Sequence, residues 1–365
     1  MTTLGIIICS LLYSLQAQVA EQAQVAEQAQ LIIEGSVYDS KTREAIPEVV
    51  IYLNGTSTYT TSDRSGNFRL VVEQRINTTL VFSHVLYESL IIESPFEHSE
   101  KTFFLKERVN SLSEIRITAD RYPRAEKMRV FREQFLGQSV AGQSCIIVNE
   151  DDIILTFDHA TNRLKGFSNN PIMVENRYLA YRITFDLGEF AIQYSENTLD
   201  MSKATRVLFK GTSSFIDQSP YNIQFIRRRE EFYRRSAAYF WKSFVSNTLN
   251  DAAFAIYNQS RRVDAGQYFA VVDAPPYKTV LIIPDTNINR RHPGVQEGPV
   301  YGVIGIVGDR NSNSDVIFLT NRFSVDEFGN VSAVNDIIYF GDMGQQRIGD
   351  MLPMDFAYSP TLLSQ

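Results

Sequence analysis

Four histidines, His84, His98, His159 and His292, are the side chains best suited to hold a metal ion or move a proton near neutral pH. A zinc carboxypeptidase centre needs His-x-x-Glu plus a distant His. The residues three after each histidine are Tyr87, Lys101, Asn162 and Val295, so that centre is absent. The HExxH, GxSxG and P-loop spacings are also missing. Cys145 is a candidate nucleophile, but its setting, Cys145-Ile146-Ile147-Val148, reads as an apolar strand in which a thiol packs and does not react.

Two polar clusters remain. Arg227, Arg228, Arg234 and Arg235, with Arg229 among them, could bind phosphate or an acidic glycan. Glu230 and Glu231 neutralise part of that charge at close spacing, which favours a solvated helix face. Asp309-x-Asn311-x-Asn313-x-Asp315 puts oxygen side chains at alternate positions, as calcium loops do. It lacks the glycine at the sixth position and has Thr320 where an EF-hand carries Glu, so it reads as a polar loop. No catalytic residue, metal or cofactor is expected from these motifs. Carboxylates scattered along the chain leave no local motif, and a hydrolase built from them stays open as the alternative.

The elements that must position these residues are mostly strands. The chain has 365 residues, 44% hydrophobic, with 18 Tyr and 24 Phe against one Trp, enough for two folded domains. A net charge of -7 argues against nucleic-acid binding, which needs a basic face. Short apolar runs separated by turn residues predict strands over 31–38, 49–53, 57–62, 67–72, 79–83, 85–92, 101–106 and 112–118. Asn54-Gly55 and Asp63-Arg64-Ser65-Gly66 supply the turn chemistry between them.

On these strands lie Gly35-x-Val37-x-Asp39, Thr42, Ile46-Pro47, Val49-x-Ile51-x-Leu53-x-Gly55-Thr56 and Thr61-x-Asp63-x-x-Gly66-x-Phe68-x-Leu70. With Leu80 to Glu88 and Leu112 to Ala119, this set resembles the carboxypeptidase-regulatory-like domain. That module is a transthyretin-like β-sandwich common in exported Bacteroidetes proteins. The resemblance implies an accessory, non-catalytic module whose Gly, Pro, Asp and Thr shape turns. Leu86 departs from it, standing where the family has Gly before Tyr87.

Beyond 119, Met128, Phe131 and Phe135 predict a helix, and 224–249 predicts the longest one, with Phe225, Phe232, Tyr239 or Phe240, and Phe244 on one face. Strands are expected over 145–148, 152–158, 178–187, 189–194, 205–211, 254–258, 267–273, 278–283, 300–307, 315–322 and 333–340. Phe131-x-x-x-Phe135-Leu136-Gly137, Glu175-Asn176-x-x-Leu179-x-Tyr181 and Gly341-Asp342-Met343 with Asp350-Met351-Leu352-Pro353 resemble the region that follows this module in Bacteroidetes exported proteins. That resemblance implies no activity.

At the amino terminus, the apolar run 4–17 has the length of a signal-peptide core, with cleavage expected near Ala17, although Met1-Thr2-Thr3 carries no Lys or Arg. A lipoprotein anchor at Cys9 fits less well, because Ile8 is large where a small residue is needed. AQVAEQ then repeats in tandem within a spacer over 18–30. No later run is long enough to span a membrane as a helix. The reading is therefore a mainly β protein: leader 1–17, spacer 18–30, β-sandwich 31–119 and a β-rich α+β domain 120–365. Its expected role is a non-enzymatic binding or structural protein of the bacterial envelope, in the periplasm or at the surface, with an envelope protein or glycan as partner. Neither the ligand nor the oligomeric state is legible.

Overall fold

The computed structural model describes residues 31–108, 121–258, 260–283, 299–309 and 312–358. The leader, the spacer, the strand expected over 112–118, His292 and Asn311 lie outside the described residues.

The chain is mainly β and buries three hydrophobic clusters. The first belongs to a sandwich of two sheets. β1 (Leu31–Asp39), β4 (Asn67–Val72) and β7 (Thr102–Leu105) form one, in the order β4-β1-β7; β1 is antiparallel to β4 and parallel to β7. β2 (Val50–Leu53), β3 (Tyr59–Thr61), β5 (Leu80–His84) and β6 (Tyr87–Ile92) form the other, in the order β3-β2-β5-β6. Strict alternation drives the packing: in β4, Phe68, Leu70 and Val72 are buried while Asn67, Arg69 and Val71 face out. Val37, Ile51, Leu53, Phe82 and Phe103 complete this core. Leu86 sits in the two-residue turn between β5 and β6, and its backbone stays out of the left-handed region, so no glycine is needed there.

The second cluster lies under a six-stranded sheet. α1 (Arg124–Phe135) turns Met128, Phe131 and Phe135 into it, as their spacing predicts. β8 (Cys145–Ile147), β9 (Ile153–Asp158), β10 (Arg163–Ser168), β11 (Ile172–Asn176), β12 (Tyr181–Tyr194) and β13 (Ala204–Asp217) follow. β12 was expected as two strands broken at Gly188. It is one 14-residue strand, because a bulge between Leu187 and Glu189 absorbs the irregularity. One of its edges pairs with β11 and then β10, the other with β13 along its whole length.

The helix expected over 224–249 is two helices. α2 (Ile223–Tyr233) ends at Arg234, and α3 (Ala237–Val245) starts afresh on Ser236, whose hydroxyl accepts from the Tyr239 amide at 3.1 Å. α3 inserts Phe240, Trp241 and Phe244 into the third cluster. That cluster is enclosed by β14 (Ala255–Asn258), β15 (Arg261–Val263), β16 (Phe269–Ala274), β17 (Tyr277–Ile282), β18 (Gly302–Val307), β19 (Asn313–Phe318), β20 (Arg322–Val325) and β21 (Ile337–Tyr339). They form sheets ordered β15-β14-β18-β19-β21 and β16-β17-β20. The segment read as one domain over 120–365 thus contains two hydrophobic clusters.

The sandwich is bonded to both. The Gly55 amide donates to the Ser213 carbonyl (2.6 Å), the Phe215 amide to the Thr56 carbonyl (2.9 Å) and the Met354 amide to the Gly55 carbonyl (2.7 Å). Gly55 has φ +75°, and a Cβ there would meet the Met354 sulfur at 2.8 Å. Asn54-Gly55 therefore turns the chain and also brings it against the body. On another side, the Asp326 carboxylate accepts from the Asn77 amide at 2.9 Å, and the Asn77 side chain donates to the Asn330 carbonyl at 2.9 Å.

Candidate functional site

α2 follows an Asn222 cap whose side chain accepts from the Gln224 amide. Its inward face is Ile226, Arg229, Glu230 and Tyr233, spaced i, i+3, i+4 and i+7. Phe225 and Phe232, expected to lead this face, are only half-buried. Two charged residues from the middle of the Arg227-to-Glu231 run go inside instead.

Arg229 is 2% exposed. Its guanidinium grips Asp217 through two bonds of 2.6 and 2.7 Å, and it donates to the carbonyls of Leu179 (2.8 Å) and Ala180 (3.2 Å). It also lies 4.1 Å from the centre of the Tyr181 ring. This residue ties the end of β13, the start of β12 and α2 together, so its charge is fully engaged. Glu230 is equally buried, at 2% exposure, yet neither carboxylate oxygen has a hydrogen-bond partner. Burial pushes its carboxyl above the usual range, and the positive charges of Arg234 and Arg227 oppose that only in part.

The two residues line a cleft of about 250 Å³ where the sandwich, α2 and the carboxy-terminal segment meet. Tyr181, Asp217, Pro220 and Ile226 line it together with Ser57, Pro353, Asp355, Phe356 and Ala357. Asp355 is already held: its oxygens accept from the Ser57 amide at 3.0 Å, the Ser57 hydroxyl at 2.8 Å and the Thr58 hydroxyl at 3.2 Å. Tyr221, next to Pro220, is 94% exposed.

A larger hollow, about 340 Å³, lies on the sandwich between Leu31 and Phe103. Its charges are matched among themselves: Lys101 bonds Glu34 at 2.8 Å, His98 lies 3.8 Å from Glu100 and Arg75 rests on the Phe96 ring. The smaller cleft is the better candidate because it holds an uncommitted charge-bearing group.

The arginines singled out from sequence do not converge on one anion site. Arg227 is exposed; Arg228 lies over Tyr178 and donates to its carbonyl; Arg234 donates to the Tyr358 hydroxyl at 2.8 Å; Arg235 pairs with Glu231 at 2.9 Å. Asp309 lies in the turn after β18, whereas Asn313 and Asp315 lie two apart on β19, both exposed. Among the described residues, no three His, Cys, Asp or Glu side chains gather as metal ligands. Cys145 is held as a thiol: burial, with the Asp350 charge, pushes it up to about 12.

The glutamate missed in the sequence reading gave one local signal, its i+4 spacing from Ile226 and its position three before Tyr233. The run of charge around it hid that signal.

An all-β sandwich module built edge-on into a larger β-rich body is what these contacts define. Residues 33–117 match the family model for the CarboxypepD_reg-like domain. No curated protein matches the chain. Among the described residues, no helix is long and apolar enough to cross a membrane.

Proposed function

We propose that this is a non-enzymatic binding or structural protein of the bacterial cell envelope, exported by its apolar leader, with the cleft beside Glu230 as its ligand site. The observation that carries this reading is the state of the three cleft carboxylates. Asp217 is locked to Arg229, Asp355 to Ser57 and Thr58, and only Glu230 is uncommitted. Hydrolysis by a carboxylate pair needs two groups free to meet the substrate. The family-matched module supports the same reading, since its polar signature residues serve the backbone: Asp39 accepts from the Lys41 and Thr42 amides, and Asp63 from those of Ser65 and Asn67.

A hydrolase is the second reading, favoured by one observation: a carboxyl pushed toward its protonated form shares a cleft with two other carboxylates. Fractionation of the native host, with assays of the purified protein on peptide and glycan panels, separates the two. A processed protein in the periplasm or envelope, inert on both panels, is the expected outcome. An unprocessed cytosolic protein removes the compartment. Turnover lost in Glu230→Gln or Asp355→Asn removes the binding reading and installs the hydrolase.

A further inference from the structure

We infer that the cleft takes an organic cation of side-chain size, a guanidinium or ammonium group on a short alkyl stem, with Glu230 as its counter-charge. This rests on the reading of the cleft as a ligand site and names the class of guest.

Three observations converge on it. First, the lining is acidic: Asp217, Glu230 and Asp355 face one cation, Arg229, and that cation is already paired with Asp217. Second, both Glu230 oxygens are buried and without a hydrogen-bond partner, a state that costs free energy unless a donor arrives. A guanidinium or ammonium brings donors and charge together. Third, beside Ser57 and Tyr181 the remaining walls are the apolar Ile226, Pro220, Pro353, Phe356 and Ala357, which suit an alkyl stem, and about 250 Å³ accommodates one side chain and not a folded segment.

The nearby positive charges do not fill the role. Arg227 and Arg234 lie outside the lining, and Arg234 is engaged with Tyr358.

Isothermal titration of the full-length mature chain tests this, with butylguanidinium as the probe and butylurea as its neutral counterpart. Saturable binding of butylguanidinium is expected, and none of butylurea. Glu230→Gln should weaken binding at least tenfold, Glu231→Gln should not, and Ala357→Phe should weaken it by narrowing the cleft without touching a charge. Acetyl-Gly-Arg-Gly-amide run alongside separates the sources: tenfold tighter binding than butylguanidinium marks a polypeptide side chain, equal binding a free small cation, and either supports the inference. Equal binding of butylurea, wild-type affinity in a folded Glu230→Gln, or no saturation by any cation overturns it. Such a failure leaves the contact function standing, because that reading is decided by export and by turnover.

Discussion

At the scale of single residues, the chain hides its most informative pair inside a stretch that looks solvated. Arg227 to Glu231 reads as three cations followed by two anions on one helix, and charge runs of this kind normally face water. Arg229 goes inside because Asp217 and the Leu179 and Ala180 carbonyls satisfy four of its donor positions. Those partners are distant in sequence, so no local pattern announced them. Replacing Arg229 by Met strands Asp217 and two carbonyls, and a loss of about 3–5 kcal/mol is expected in a urea titration. Adding Asp217→Asn should recover part of it. Glu230 acts in the opposite sense. Its carboxyl sits above the ordinary value of 4.5 in the folded chain, so the folded state keeps a proton that the unfolded chain has released. Its penalty is absent below that value and grows as pH rises through the folded-state value. Glu230→Gln should therefore melt about 1–3 °C higher than the wild type at pH 7. The gap should close near pH 4, and scanning calorimetry at both pH values measures it.

At the scale of elements, strands with one buried face and the helix over Met128 to Phe135 were legible, and the break within 224–249 was not. β4 and β9 alternate cleanly, and Asn54-Gly55 and Asp63 to Gly66 mark turns of the sandwich. The aromatic spacing from Phe225 to Phe244 continues across Arg234-Arg235-Ser236, so periodicity alone joins two helices that pack on different clusters. The break was written in Ser236, a good cap immediately before Ala237-Ala238-Tyr239. Ser236→Ala should cost about 1 kcal/mol by chemical denaturation. A near-zero change would mean that Tyr233 and its neighbours, and not the cap, hold the junction. The cleft was illegible for a related reason: its walls come from positions near 57, 181, 217, 226 to 230 and 353 to 357, brought together only by sheet pairing and by the dock at Gly55.

At the scale of the whole molecule, the sandwich has its own core, but backbone bonds at Gly55 and Thr56 and carboxylate clasps at Asp326 and Asp355, not a loose tether, fix it to the rest. Residues 31–119 expressed alone should give strand-type circular dichroism and a cooperative melt, at a lower temperature than the same unit in the full chain. Broad, gradual unfolding would make the body an obligatory part of the module.

The parallel pairing of β1 with β7 has a mechanical meaning. Among the described residues of the sandwich, the chain runs from the start of β1 to beyond the end of β7, and the two strands point the same way. Tension applied between those ends slides one strand along the other. Ser36 with Thr102 through Asp39 with Leu105 then bear the load together, and no pair can peel open first. Pulled from those two ends, the pair would hold as a shear lock and not as a zip.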